Sequence, residues 1–246
     1  MIPNYDFSLT PNSNMVICCL ATGKNHVTAL EIMKPTVEYY GKLHGIDTLF
    51  YNKKLLPNEM AKKHKIFLLY NLLKYYEIVM WMDSDAIIVD PRDDIRNELT
   101  TNHVVYMTSY HRRKPLFPNS GVIVVKRDPK TIEILEAVWR HKKKRRDEWW
   151  DQQAFLKLLG FRNQNIRILA YKGPTKYTPL IGSLHVKWNS RPNRFDVAKK
   201  PIIVHHCGLK WWKRLRRMRK SYHEFLRNIE KYKTHVFTAK SNPETY

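Results

Sequence analysis

The chain has 246 residues, 43% hydrophobic and 12% aromatic, enough to bury one large α/β core and to exclude disorder as the default. Lys and Arg number 44 against 22 Asp and Glu; the net charge of +22 attracts nucleic acid, acidic lipid or phosphorylated small molecules without choosing among them. No apolar run approaches the ~20 residues of a membrane span, and the N-terminus has no signal-peptide pattern, so a cytoplasmic location is expected.

Strand-like and helix-like segments alternate, which predicts an α/β sheet. Residues 15–21 read as a first strand, 36–43 as a helix end stopped near Gly45, and 48–51 as a second strand. Cys18 and Cys19 lie in the first apolar run and, with the distant Cys207, form no spaced framework; buried thiols are expected. Apolar Ile66, Leu69, Tyr70, Leu73 and Tyr76, with lysines opposite, predict a helix over 59–76. Residues 77–82, 104–109 and 121–126 read as strands, and 131–139 and 151–159 as helices. The stretch 172–194, with Pro174, Pro179 and Pro192, reads as loop with a short strand, and 201–205 as a last strand.

From 211 to 233 a basic helix is predicted. Trp211, Leu215, Met218, Tyr222, Phe225 and Ile229 form one stripe, and Lys213, Arg214, Arg216, Arg217, Arg219 and Lys220 cover much of the rest. The stripe could pack on the main domain, or the helix could lie on an anionic membrane surface; nucleic-acid contact is a third reading.

The most informative segment is 78–86, where a buried-strand run ends in Asp83-Ser84-Asp85 and a second apolar run follows. Carboxylates at the end of a buried strand are costly unless something positive meets them. A divalent metal would do so, and could in turn hold a diphosphate. Asp-x-Asp alone is a weak pattern, and solvated turn residues are the plain alternative.

Four other places carry suitable groups. In His205-His206-Cys207-Gly208-Leu209-Lys210, a histidine at a strand end could complete a mixed oxygen and nitrogen site suited to Mn²⁺. Gly208 would let backbone approach a phosphate, and Lys210 could neutralise it. Asn119-Ser120-Gly121 enters a strand where an amide could bind a sugar hydroxyl. Asp151 is a good helix N-cap, which leaves Gln152 and Gln153 unaccounted for. Lys65 could reach a phosphate or base.

In this order the pieces resemble metal-dependent nucleotide-sugar glycosyltransferases of the GT-A fold. The likeness is strongest to the retaining galactosyl-, xylosyl- and mannosyltransferase family that includes plant xyloglucan xylosyltransferases, and weaker to glycogenin-like transferases. Trp81-Met82-Asp83-Ser84-Asp85-Ala86 is similar to the family's metal-binding strand end. His205 to Lys210 is similar to its His-x-x-Gly-x-Lys element, which makes His205 rather than His206 the matching ligand. Asn119-Ser120-Gly121 and Asp151-Gln152 match two further elements, and the likeness covers roughly residues 13–212.

The resemblance implies a Rossmann-like mixed sheet flanked by helices over residues 1–210; the basic helix and tail over 211–246 have no counterpart in the family and are read from the residue pattern alone. It implies Mn²⁺, or Mg²⁺ in its place, held by Asp83, Asp85 and His205 against the donor diphosphate. Ser84, Lys65 and Lys210 would stand near that nucleotide, and Ala21 and Thr22 would contact the base. Asn119, Asp151 and Gln152 would line the donor sugar, with Gln152 or Asp151 beneath the anomeric carbon. A hexose or pentose would pass with retention from a nucleotide sugar, a UDP-sugar first, to a glycan or glycoprotein acceptor.

Secretory members of that family carry a membrane anchor and stem with no counterpart here. That favours a cytoplasmic setting, with peripheral contact to anionic membrane through 211–233. A phosphatase of the haloacid dehalogenase type would need Thr or Val two residues after the second Asp, where Ile87 stands. A nucleic-acid-binding protein could use the basic run 140–146, but no recognised motif supports nucleic acid as the primary partner.

Overall fold

The computed structural model describes residues 1–109, 117–141, 150–165, 168–192 and 197–240. Its first strand, β1 (Met15–Leu20), has no polar face and is buried throughout, so it must be covered on both sides. Helix α1 (Lys24–His44) runs 21 residues, well beyond the segment expected at 36–43. Pro35 lies inside it, and a proline there normally signals a helix boundary. Gly45 ends α1 in the left-handed conformation, φ 62°, with its N–H on the Gly41 carbonyl.

Strand β2 (Asp47–Tyr51) runs parallel to β1. Helix α2 (Lys63–Leu72) is shorter than the 59–76 expected, and β3 (Ile78–Met82) lies parallel to β1 on its other side. A turn leads to β4 (Ala86–Ile88). Strands β5 (Val105–Ser109) and β6 (Pro118–Lys126) pair antiparallel, and β6 also pairs antiparallel with β3. Helix α3 (Pro129–Trp139) starts at Asp128, whose carboxylate accepts the Lys130 N–H, and α4 (Trp150–Leu158) follows. Strands β7 (Phe161–Asn165) and β8 (Ile168–Tyr171) form a hairpin that the sequence pattern did not announce. Strand β9 (Ile181–Leu184), parallel to β5, is the short strand expected within 172–194. Strand β10 (Ile203–His205) pairs antiparallel with β4, and α5 (Trp211–Lys240) is the last described element. Of the basic run 140–146, only Arg140 and His141 lie among the described residues.

The central sheet is mixed, in the order β2-β1-β3-β6-β5-β9. Because side chains alternate along a strand, β1 feeds two cores. Val16, Cys18 and Leu20 join the core toward α2, α3 and α4, while Met15, Ile17 and Cys19 join the one toward α1 and α5. Both thiols are buried and free, as expected.

Helix α5 packs on α1 and β4. Met218, Phe225 and Ile229 of its stripe are buried, each such burial being worth roughly 1.5–3 kcal/mol. Phe225 meets the Tyr39 ring edge-on at 5.4 Å, and Asn228 Nδ2 donates to the Val89 carbonyl at 2.7 Å. Lys213, Arg216, Arg219, Lys220 and Arg227 are left exposed beside Trp212. Among the described residues no helix is long and apolar enough to cross a membrane.

Candidate active site

The site lies past the carboxyl ends of the parallel strands β1 and β3, where open α/β sheets leave a crevice. Asp83 follows β3 directly; its N–H donates to the Gly121 carbonyl at 2.8 Å, and its carbonyl accepts the Ala86 N–H at 3.0 Å. That tight turn points the chain into β4, and the β4–β10 pairing sets His205 opposite Ala86. Strand pairing therefore brings the imidazole to the acids. His205 Nε2 stands 3.1 Å from Asp85 Oδ1 and 3.8 Å from Asp83 Oδ2. One ligand atom from each of Asp83, Asp85 and His205 falls within 4.8 Å of the others.

Gly121 makes room for this ring. A Cβ there would lie 2.2 Å from His205 Cε1 and 2.4 Å from Nδ1, so no other residue fits without moving the imidazole. The glycine of the Asn-Ser-Gly element thus has a steric cause.

Lys65 ties three segments together. Its buried Nζ lies 2.9 Å from Asp83 Oδ1, 2.6 Å from Asp151 Oδ2 and 2.8 Å from the Ser120 carbonyl, which engages all three of its hydrogens. Burial alone would lower the Lys65 pKa, but the Asp151 and Asp83 charges outweigh it and hold the ammonium above its ordinary range. Burial likewise pushes the Asp151 carboxyl up, and Lys65 with the Ser120 hydroxyl at 2.8 Å pulls it below the ordinary value. Both groups are charged and paired.

The Asp85 carboxyl is also held well below the ordinary carboxylate range. Its burial is overridden by His205 and by Arg214, whose Nη1 lies 3.0 Å from Asp85 Oδ2. Arg214 Nη2 donates to the Leu209 carbonyl at 3.0 Å, and its Cζ lies 4.2 Å from the Trp211 ring centroid. Ser84 Oγ is 3.3 Å from His26 Nδ1. Asn119 Nδ2 donates to Gln152 Oε1 at 3.4 Å, and the buried Gln152 Nε2 has no partner among the described residues.

These groups border a cavity of about 490 Å³. Residues 63–218, well over half of the chain and all of the groups above except His26, match the family model described as nucleotide-diphospho-sugar transferase. The chain belongs to that family. A glycosyltransferase involved in glycosylation of the major capsid of PBCV-1 aligns with 84% of this chain and 98% of its own, at 18% identity and TM-score 0.59. The bifunctional glycosyltransferase WbbM aligns with 92% of this chain and 52% of its own, at 12% identity and TM-score 0.57. GlyE of Streptococcus pneumoniae TIGR4, another glycosyltransferase, aligns with 87% and 63%, at 13% identity and TM-score 0.53. These likenesses share the GT-A fold. No curated protein matches the sequence.

Ala21, Thr22, Lys65, Asp83, Ser84, Asp85, Asn119, Asp151, Gln152 and His205 all border the cavity. Lys210 does not; it is exposed, and Arg214, one helical turn further on, borders the cavity instead. Neither His26 nor Arg214 was singled out from the sequence. Arg214 was one cation among six in a basic run, and no pattern distinguishes the one that packs inward.

Two carboxylates and an imidazole make a mixed oxygen and nitrogen donor set that could hold a divalent cation. Ligands about 2.1–2.2 Å from one ion lie at most about 4.4 Å apart, so the cluster needs only slight closure to hold one.

Proposed function

We propose that this transferase moves a hexose or pentose from a UDP-sugar to a glycan acceptor, with retention of anomeric configuration, using Mn²⁺ held by Asp83, Asp85 and His205. The observation that carries the reading is the convergence of those three ligand atoms within 4.8 Å at the cavity wall. A divalent ion held there would supply Lewis-acid neutralisation of the leaving diphosphate. Arg214 adds fixed positive charge beside Asp85, taking the part expected of Lys210. Lys65 keeps Asp83 and Asp151 charged and oriented, a role that uses its hydrogens within the protein. Gln152 turns an unpaired Nε2 in a largely buried site, suited to a donor-sugar oxygen, while Asn119 anchors its Oε1. Ala21 and Thr22, which follow β1 and border the cavity, would meet the base.

The exposed basic face of α5 would meet anionic membrane lipid through charge, since the helix's apolar stripe is buried in the fold.

A thermal-shift screen of UDP- and GDP-sugars, with and without Mn²⁺, tests the reading, because a ligand that binds only the native state raises its melting temperature. A UDP-sugar should stabilise the protein only with the metal present, and Asp85→Asn should remove that metal-dependent part while leaving the protein folded. Equal stabilisation in the variant, or no nucleotide-sugar response with any divalent ion, would overturn it.

A further inference from the structure

We infer that Asn189 is a positioning residue that keeps a proton on His205 Nδ1 and thereby presents the Nε2 lone pair toward Asp83 and Asp85. The inference concerns the metal reading above, but its argument starts from a backbone group. Gly121 N–H can only donate, and it donates to Asn119 Oδ1 at 3.0 Å. That fixes which end of the Asn119 amide is oxygen. Asn189 lies 2.7 Å from the same Oδ1, so it must present its Nδ2 there. A flipped Asn189 would press two acceptors together at that distance. With its Nδ2 toward Asn119 and toward Thr108 Oγ1 at 3.1 Å, Asn189 turns its Oδ1 to His205 Nδ1 at 2.9 Å. An oxygen acceptor at that range calls for a hydrogen on Nδ1, whatever Nε2 carries. The polarity set by one peptide N–H therefore passes through two amides to the imidazole.

All members of this chain of bonds are buried, Asn189 fully, so water cannot substitute for a lost partner. Backbone pairing holds the two ends in step. The Ser190 N–H donates to the Ile203 carbonyl at 2.9 Å, and the His205 N–H to the Ser190 carbonyl at 2.7 Å. These bonds bring residue 189, at the end of a single 3₁₀ turn (Val186–Asn189), beside β10. Metal-bound histidines commonly donate their other N–H to a protein acceptor, which sets the tautomer and strengthens the ligand. Here the acceptor is an amide oxygen whose own orientation is imposed from β6.

The test uses the full chain with ¹⁵N-labelled histidine and long-range ¹H–¹⁵N spectra, His205 being assigned by comparison with His205→Gln. Spectra are taken metal-free and with Mg²⁺, and Mn²⁺ affinity is measured separately by calorimetry. Wild type should show a protonated Nδ1 in both states. Asn189→Leu should lose that signature and bind Mn²⁺ about 10–100-fold more weakly. Asn189→Asp keeps an acceptor for Nδ1 but sets a carboxyl oxygen 2.7 Å from Asn119 Oδ1, so it should retain the signature and bind Mn²⁺ more tightly than Asn189→Leu while being less stable than wild type in urea. An unprotonated Nδ1 in wild type would overturn the inference, as would unchanged Mn²⁺ affinity in Asn189→Leu or equal losses in both variants. If Asn189→Leu fails to fold, the wild-type spectrum and Asn189→Asp still decide. Absence of Mn²⁺ binding in wild type would instead remove the metal reading and leave the Nδ1 result standing.

Discussion

Replacing Lys65 by Met removes one buried ammonium and leaves two carboxylates to find new partners. Asp83 is the lesser problem: its side chain is 30% exposed and keeps the Trp81 Nε1–H at 2.7 Å. Asp151 is the greater, because only 9% of its side chain is exposed and its 2.6 Å partner is gone. Breaking a buried pair from one side costs about 3–5 kcal/mol, and the retained Ser120 bond places the expected loss near the lower end, about 3 kcal/mol. For a chain of this size that is a fall in melting temperature of about 6–12 °C. The pH dependence should change sign. In wild type the Asp151 pKa is depressed, so its contribution is present above the unfolded value of about 3.9 and is lost as pH falls through the folded one. Without Lys65 burial raises that pKa, so the Asp151 contribution improves as pH falls. Urea unfolding of wild type, Lys65→Met, Asp151→Asn and the double variant between pH 2 and 8 measures both effects. The double variant should recover more than half of the loss. A Lys65→Met cost below about 1 kcal/mol, or no recovery, would refute the argument that the ammonium compensates buried acids.

Arg214→Gln should lower turnover by about 10²-fold, as expected for loss of one fixed donor to developing charge, while Lys210→Gln should leave it nearly unchanged; steady-state kinetics with a UDP-sugar separate the two. Gly121→Ala must displace the His205 ring from a 2.2 Å overlap, and should cost about 1–3 kcal/mol in urea unfolding while abolishing tight Mn²⁺ binding by calorimetry. Charge-reversing Arg216, Arg219 and Lys220 on α5 should abolish sedimentation with anionic vesicles at low salt and leave the melting temperature within a few degrees; wild-type binding unaffected by salt would argue against a charge-driven contact.

The strands that carry the acids were legible because the apolar runs at 78–82 and 201–205 stop abruptly at polar groups, and chain pairing then brings those stops together. The full length of α1 was hidden by Pro35, which reads as a boundary in any local pattern. The β7–β8 hairpin was hidden because Phe-Arg-Asn-Gln-Asn offers no alternation to read. In the site, residue type and order pointed to Asp83, Asp85 and His205. Orientation was not readable in the same way. Which cation of the basic helix faces inward depends on how α5 rotates against α1, a tertiary quantity with no local signature. Asn189 lies in a proline-rich stretch without periodicity, and its polarity follows from a peptide N–H 68 positions away, at Gly121.

One rod serves two ends of this molecule. The helix whose outer side faces solvent with its cations also inserts a guanidinium against Asp85, less than one turn from its start and one turn before its Met218 anchor. Anything that levers the rod from outside must therefore tug at the acid pair, and a fragment cropped at residue 210 would lose a charge partner along with its tail.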